Sequence, residues 1–474
     1  MMKETITLSY SQIANQLVTH FNNLQDDRFH ENPDSITNLA HILPKATKGS
    51  KFISNLYPRS ILFDYSNGTG ALDPFIYFQE NPMNSIDMKD VQTIQTTPTL
   101  DLNHYQNNLN KGKPTVGLDN ERTQFWSDFA KVTYKPTCVI KHPSYVYDPE
   151  TSKGVDKNTH SQKFDGHQLG VDTFQDIEAF HDSIDDQVRK MFEESNNVNA
   201  VNAVVELDSA WSGVCFESLK HLIDDQLGGK GSKVMLWSLQ RDYKYVREMT
   251  ITGKLDRIQK LTDLGNLDVG GIASLNLDFP STLPIVNPWA KTSVLSIPFD
   301  FFNNIKDVDI GEVLYKLTDG GQQKFINDVR TLWNDEVLHL GGGLFTNKPD
   351  EDAYTFAKSV VTSQSCIEDI KGFEDFDALV AKSTPRLYLQ TYKSRHDIKY
   401  TDSMPSFFQN ADIPACSLGV TSSLRGDFKT MHDFVSKYCR SDVREELKND
   451  LENLVESYTH GFEYTDGEDE DDVY

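Results

Sequence analysis

Residues Thr5–Phe21 read TITLSYSQIANQLVTHF. The first half is β-branched and apolar, and Ile13, Leu17, Phe21 and Leu24 then follow a helical 4-4-3 spacing. A strand therefore runs directly into a helix through a short turn at Ser11. Such a turn aims helix N–H groups at whatever lies above the carboxyl end of the strand, a geometry suited to phosphate. Phosphate cradles use glycine so that backbone can approach closely, whereas this turn holds Ser11 and Ala14. Gln12, Asn15 and Gln16 remain as side chains able to bond a nucleotide. The plain reading is an ordinary βα turn with a polar helix face.

Two further segments have the same form. Tyr57–Leu72, YPRSILFDYSNGTGAL, is a strand ending in Asp64, followed by Asn67-Gly68-Thr69-Gly70. A carboxylate there can hold a ribose hydroxyl or a hydrated Mg²⁺, and a simple glycine turn accounts for it as well. Val204–Gln226, VVELDSAWSGVCFESLKHLIDDQ, is again strand, turn and helix. A phosphate loop would be rich in glycine; here only Gly213 accompanies Ser209, Ala210, Trp211 and Ser212. Trp211 would crowd a phosphate, and Ser209 and Ser212 suit helix capping.

Outward from these segments, β-rich runs alternate with helical ones. Expected strands are Glu4–Tyr10, Ser60–Tyr65, Thr137–His142, Ala200–Leu207, Val234–Leu239, Ile272–Leu277, Thr292–Phe302, Arg386–Tyr392 and Ile413–Val420. Several are apolar on both faces, as strands of a covered parallel sheet are. Expected helices carry Phe216, Leu219, Ile223 and Leu227, then Phe325, Val329, Leu332 and Trp333, and finally Leu447, Leu451, Leu454, Val455 and Tyr458. The alternation predicts an α/β protein with a mostly parallel sheet. Asp73–Thr123 and Lys153–Gln168 read as irregular surface excursions.

Read in order, the three turns resemble the tubulin/FtsZ superfamily. Ser11-Gln12-Ile13-Ala14-Asn15-Gln16 is similar to its first loop, G-Q-x-G-N-Q, with both glycines lost. Pro58-Arg59-Ser60-Ile61-Leu62-Phe63-Asp64 resembles the tubulin P-R-A-I-L-x-D segment, and the third turn stands where tubulins carry G-G-G-T-G-S-G. FWSDFAKVTYKP (Phe125–Pro136) narrows the resemblance to the Misato family, the tubulin-related proteins of mitochondrial inheritance. Ser212-Gly213-Val214 and Gly419-Val420-Thr421-Ser422-Ser423-Leu424 agree with that family, and the likeness extends from Thr5 to about Tyr458. The asparagine-rich character points to a fungal member.

The resemblance implies a Rossmann-like N-terminal domain (1–277, with insertions near 73–123 and 153–168), a central helix and a second α/β domain (278–426). C-terminal helices (427–465) and an acidic tail (466–474) follow. It also implies a role in partitioning mitochondria and in inheritance of mitochondrial DNA, with cytosolic chaperonin and tubulin as partners. The degenerate nucleotide site would comprise Gln12, Asn15, Gln16, Asp64, Ser209, Ser212 and Gly213, with no catalytic residue and no cofactor expected. GTP binding by a polymerising relative of tubulin is the alternative, and a tubulin-folding accessory role a third. Side chains at Ser11, Ala14, Ala210 and Trp211 intrude where N–H groups should meet phosphates. No match to the N-x-D-x-x-K catalytic segment is found, and Lys254-Leu255-Asp256-Arg257 reads as a solvated helical turn.

The composition bounds the partners. Among 474 residues, 46 Lys+Arg against 71 Asp+Glu give a net charge of −25, a field opposed to nucleic acid and anionic lipid. Direct DNA binding is therefore not expected. No stretch reaches the roughly 18 to 20 apolar residues of a membrane span. MMKETITLSY has neither the apolar block of a secretory signal nor the arginines of a mitochondrial presequence. Mitochondrial residence then means peripheral contact with the cytosolic face of the outer membrane, alongside a cytoplasmic pool. Five scattered cysteines indicate reduced thiols, and thirteen histidines without a Cys/His motif give no metal site. Six acids in Asp466–Asp472 form a solubilising tail or a strip for a basic partner.

Overall fold

The computed structural model describes residues 3–31, 40–46, 54–72, 100–115, 117–285, 287–346, 353–366 and 388–459. In chain order the strands are β1 (Glu4–Tyr10), β2 (Ile42–Ala46), β3 (Ser54–Pro58), β4 (Ser60–Ser66), β5 (Val139–Asp148), β6 (Lys153–Asp156), β7 (Val198–Glu206), β8 (Val234–Gln240), β9 (Gly271–Asn276), β10 (Phe325–Ile326), β11 (Asp328–Trp333), β12 (Glu336–His339), β13 (Thr355–Thr362), β14 (Tyr388–Lys393) and β15 (Ala415–Thr421). The helices are α1 (Gln12–Glu31), α2 (His104–Asn110), α3 (His167–Asp176), α4 (Glu178–Glu193), α5 (Trp211–Asp225), α6 (Tyr243–Glu248), α7 (Ile251–Asn266), α8 (Pro288–Asn303), α9 (Ile310–Leu317), α10 (Leu424–Tyr438) and α11 (Arg444–Ser457).

Eight strands form one sheet in the order β10-β9-β8-β7-β1-β4-β5-β6, parallel throughout except for the β5–β6 hairpin. β1 is buried along its whole length, as the two-sided apolar run requires. It lies between β4 and β7, so the direction of strand succession reverses there. Ligands of open α/β sheets bind outside the carboxyl ends of the strands at such a reversal. The three turns singled out in the sequence follow β1, β4 and β7, and they meet at that point. A second sheet, β12-β11-β15-β13-β14, is mainly antiparallel. β2 and β3 form a separate hairpin.

One expected strand and one expected helix are overturned. Thr292–Phe302 is not a strand: it lies inside α8, capped by Asn287 Oδ1 accepting the Ala290 N–H and opened by Pro288. This helix is apolar all round because it is buried all round, against α1 and against β11, β13 and β15. Phe325–Trp333 is not a helix but β10 and β11. The run breaks at Asn327, whose amide donates to Thr421 and Ser423, so the short β10 joins the first sheet and β11 the second.

The excursion expected at Lys153–Gln168 instead contains β6 and sends Phe164 and His167 into the core. Of the Asp73–Thr123 expectation, 73–99 and 116 lie outside the described residues; the remainder carries α2 and buries Tyr105, Gln106 and Thr123. Residues 386–387 of the expected strand Arg386–Tyr392 and the acidic tail also lie outside them. The five cysteines are free thiols; all are buried but Cys366, which is half-buried. No described helix is long and apolar enough to cross a membrane.

The sheets are joined through α1 and α8. Asp300 on α8 accepts two hydrogen bonds from Arg28 of α1, at 2.6 and 2.8 Å, and one from Gln25 at 2.9 Å. Both ions are buried, so each depends on the other for the solvation it has lost.

Candidate functional site

Each sequence-selected residue lies at or beside the reversal point, but their hydrogen bonds turn inward. Ser11 adopts φ 115°, a conformation natural to glycine and costing an L-residue about 1–3 kcal/mol. Its Oγ accepts the Ala14 N–H at 3.2 Å. The backbone thus keeps a glycine-type turn while a side chain fills it. Asn15 donates to the Phe63 carbonyl at 3.1 Å and to Asp64 Oδ2 at 3.3 Å; Gln16 donates to the Gln124 carbonyl at 2.9 Å. Gln12 is buried, and its amide meets no protein partner among the described residues.

Asp64 is fully buried at the end of β4 and presents nothing to a ribose or a magnesium ion. Its Oδ2 accepts the Trp126 indole N–H at 2.7 Å, and its Oδ1 accepts the Tyr65 N–H at 2.7 Å. Burial pushes this carboxyl up to about 6, and the donors from Trp126, Tyr65 and Asn15 pull it back. A Cβ at Gly68 would come within 2.2 Å of Asp64 Oδ1, so that glycine exists to let the turn pack on the carboxylate. Trp126 is delivered by a single 3₁₀ turn, Trp126–Asp128, in which Asp128 accepts the N–H groups of Gln124 and Phe125.

The third turn is the most tightly occupied. The Ala210 N–H donates to the Phe164 carbonyl at 3.1 Å, and the Trp211 N–H to Ser209 Oγ at 3.3 Å. The Ser212 N–H donates to the Ser209 carbonyl and the Gly213 N–H to the Ala210 carbonyl. The N-cap of α5 is Ala210, with no side-chain cap, so neither serine is the cap expected; Ser209 stands one residue before it, and the Ser212 hydroxyl donates to the Ser209 carbonyl at 2.8 Å. The Trp211 ring is fully buried among Tyr65, His142 and Phe164, with centroids 5.3, 5.9 and 5.4 Å away. Gly213 serves helix packing: a Cβ there would lie 2.2 Å from the His167 carbonyl, and one at Gly170 would lie 1.9 Å from the Ala210 carbonyl. α3 thus lies across the N-terminus of α5, where a phosphate would have to enter.

The surrounding charge is equally unsuited to a triphosphate. Glu206 at the end of β7 is pushed up to about 7, first by burial and then by Asp208. Lys153 is bound to Asp165 at 2.9 Å, Arg241 to Asp278 at 2.7 Å, and the buried Arg257 to Asp208. Lys254–Arg257 is consequently not a solvated turn. Arg257 also donates to the Leu344 carbonyl at 3.0 Å, Asp256 accepts the His167 N–H at 2.6 Å, and Asp256 holds Lys260 at 2.7 Å. The described residues therefore do not fit a guanine nucleotide: the N–H groups of the third turn are spent internally and an indole fills its face.

A parallel sheet with three βα turns at its reversal point, a buried helix and a second, mixed sheet define the class: a tubulin-like α/β protein. The tubulin domain family matches residues 115–300, and the Misato Segment II tubulin-like domain matches residues 3–111. "Protein DML1" of Yarrowia lipolytica is 22% identical over 99% of this chain and 100% of its own length. "Protein DML1" of Debaryomyces hansenii is 24% identical over 98% and 99% respectively, and that of Scheffersomyces stipitis is 28% identical over 50% of this chain and 48% of its own. The chain is thus tubulin-like and is similar to the Misato and DML1 proteins along nearly its whole length.

Proposed function

We propose that this chain is a tubulin-like scaffold without GTPase turnover. It works through protein contacts in partitioning the mitochondrial organelle and in inheritance of mitochondrial DNA. The organelle role rests on the family resemblance. The non-catalytic part rests on one observation: the Ala210 N–H is given to the Phe164 carbonyl while Trp211 fills the space beside it. Preorganised N–H donors are what phosphate binding requires, and a donor already bonded to protein in a closed, apolar setting is not available.

Cytosolic chaperonin and tubulin are the proposed partners, with peripheral attachment to the cytosolic face of the mitochondrial outer membrane and a cytoplasmic pool. The net charge of −25 favours an indirect effect on mitochondrial DNA over direct contact. The test is calorimetric titration of the purified full chain with GTP and Mg²⁺, together with nucleotide analysis of the protein as isolated. The expected result is no saturable binding in the micromolar range and no stoichiometric nucleotide; micromolar binding with phosphate release overturns the reading. For the location, protease added to intact mitochondria is expected to degrade the bound fraction, and a protected fraction would refute it.

A further inference from the structure

The absence of a metal motif in the sequence conceals a cluster assembled by two helices. His181 and Asp185 stand one turn apart on α4, and His221 and Asp225 stand one turn apart on the neighbouring α5. The ligand atoms of His181, Asp185 and His221 all lie within 4.8 Å of one another, and each residue is half-buried. His181 Nε2 is 2.8 Å from Asp185 Oδ2. The two imidazoles meet edge-on, nearly perpendicular, with centroids 4.9 Å apart, and the Phe174 ring lies 4.5 Å from that of His181 and 5.2 Å from that of His221.

We propose that His181, Asp185 and His221 bind a divalent transition-metal ion of the zinc type, which cross-links α4 to α5. Two imidazoles and a carboxylate suit zinc, whereas calcium and magnesium take oxygen ligands. Bond lengths of about 2.0–2.1 Å set tetrahedral ligands roughly 3.4 Å apart, so modest side-chain rotations close the cluster on an ion. A cavity of about 540 Å³, lined in part by Asp182, Asp185, His221 and Asp225, opens beside it. It admits the ion and leaves the fourth position to Asp225 or water. The nearby cations do not occupy the cluster: Arg189 and Lys190 are both held by Asp186 at 2.7 Å. The ligands come from separate helices, which is why no spacing along the chain announces them.

The experiment uses the full chain stripped of metal and titrated with Zn²⁺ alone in competition with a chromogenic chelator. The expected result is one ion per chain at micromolar affinity or tighter, with a raised thermal midpoint. His181→Ala and His221→Ala should each weaken binding by about tenfold or more and abolish the thermal shift, with Asp185→Asn as a milder third variant. Metal-free circular dichroism and melting, unchanged in the variants, show that they fold. Cys366→Ser should leave affinity unchanged, and Co²⁺ loaded at the site should lack a thiolate charge-transfer band. Affinity weaker than about 100 μM, binding that survives both histidine substitutions, or binding lost in Cys366→Ser overturns the proposal.

Discussion

Replacing Trp126 by Phe tests how this buried tryptophan is tied to the reversal point. The indole N–H is 2.7 Å from Asp64 Oδ2, and the carboxyl is fully buried. Burial raises Asp64 from 3.8 to about 6 in the folded protein, a difference of about 2 pH units or ~3 kcal/mol. Because the folded-state value is raised, this contribution to stability is fully present below about pH 4 and is lost as pH rises through about 6. The tryptophan lessens that loss by donating to the ionised form. A hydrogen bond to a charged group is worth about 1.5–3 kcal/mol, against about 1 kcal/mol for a neutral partner. Trp126→Phe should therefore cost about 1 kcal/mol more at pH 8 than at pH 5, on top of a packing loss common to both. Urea unfolding of the two proteins at both pH values measures the difference. The same substitution in an Asp64→Asn background should lose its pH dependence, closing a double-mutant cycle. An equal cost at pH 5 and pH 8, or a pH dependence that persists without Asp64, refutes the argument.

Gly170→Ala and Gly213→Ala each press a methyl group against a backbone carbonyl, so each should cost at least about 1–3 kcal/mol by overpacking, read as a lower thermal midpoint. Asp300→Asn removes the carboxylate that Arg28 holds with two hydrogen bonds in a buried setting and should cost about 3–5 kcal/mol in denaturant titration. Burial depresses His20 and His142 to about 3 and His41 to about 4, so their imidazole NMR signals should not titrate between pH 8 and 5. The unfolded chain takes up these protons near pH 6.5. The stability supplied by the three neutral rings is therefore present above that pH and falls as pH drops toward 4; a midpoint in any of the three near pH 6.5 would refute the burial argument.

The legible part of the fold is the part encoded locally. β1, β4, β7, β8 and β9 announce themselves because strands covered on both faces are apolar on both faces. The same signal misassigns Thr292–Phe302: a helix enclosed on every side also reads as an unbroken apolar run. Phe325–Trp333 fails for a related reason, since four apolar residues near helical spacing are shared between two sheets once Asn327 turns the chain. At the candidate site, the lost glycines and the bulk of Trp211 are visible in the sequence. The Phe164 carbonyl that takes the Ala210 N–H is not, because it belongs to a segment whose polar composition reads as surface.

The order of the residues alone determined that Thr5–Phe21, Tyr57–Leu72 and Val204–Gln226 are strand-then-turn units of a tubulin-like chain, and that their turns have exchanged glycine for side chains. Only the tertiary structure decided what those side chains do. It gave Asp64 to Trp126, Gly213 to the approach of α3, Arg257 to Asp208, and His181 to the neighbourhood of His221. The physical reason is that hydrophobic periodicity records which residues leave water, whereas the partner each meets depends on how distant segments pack together.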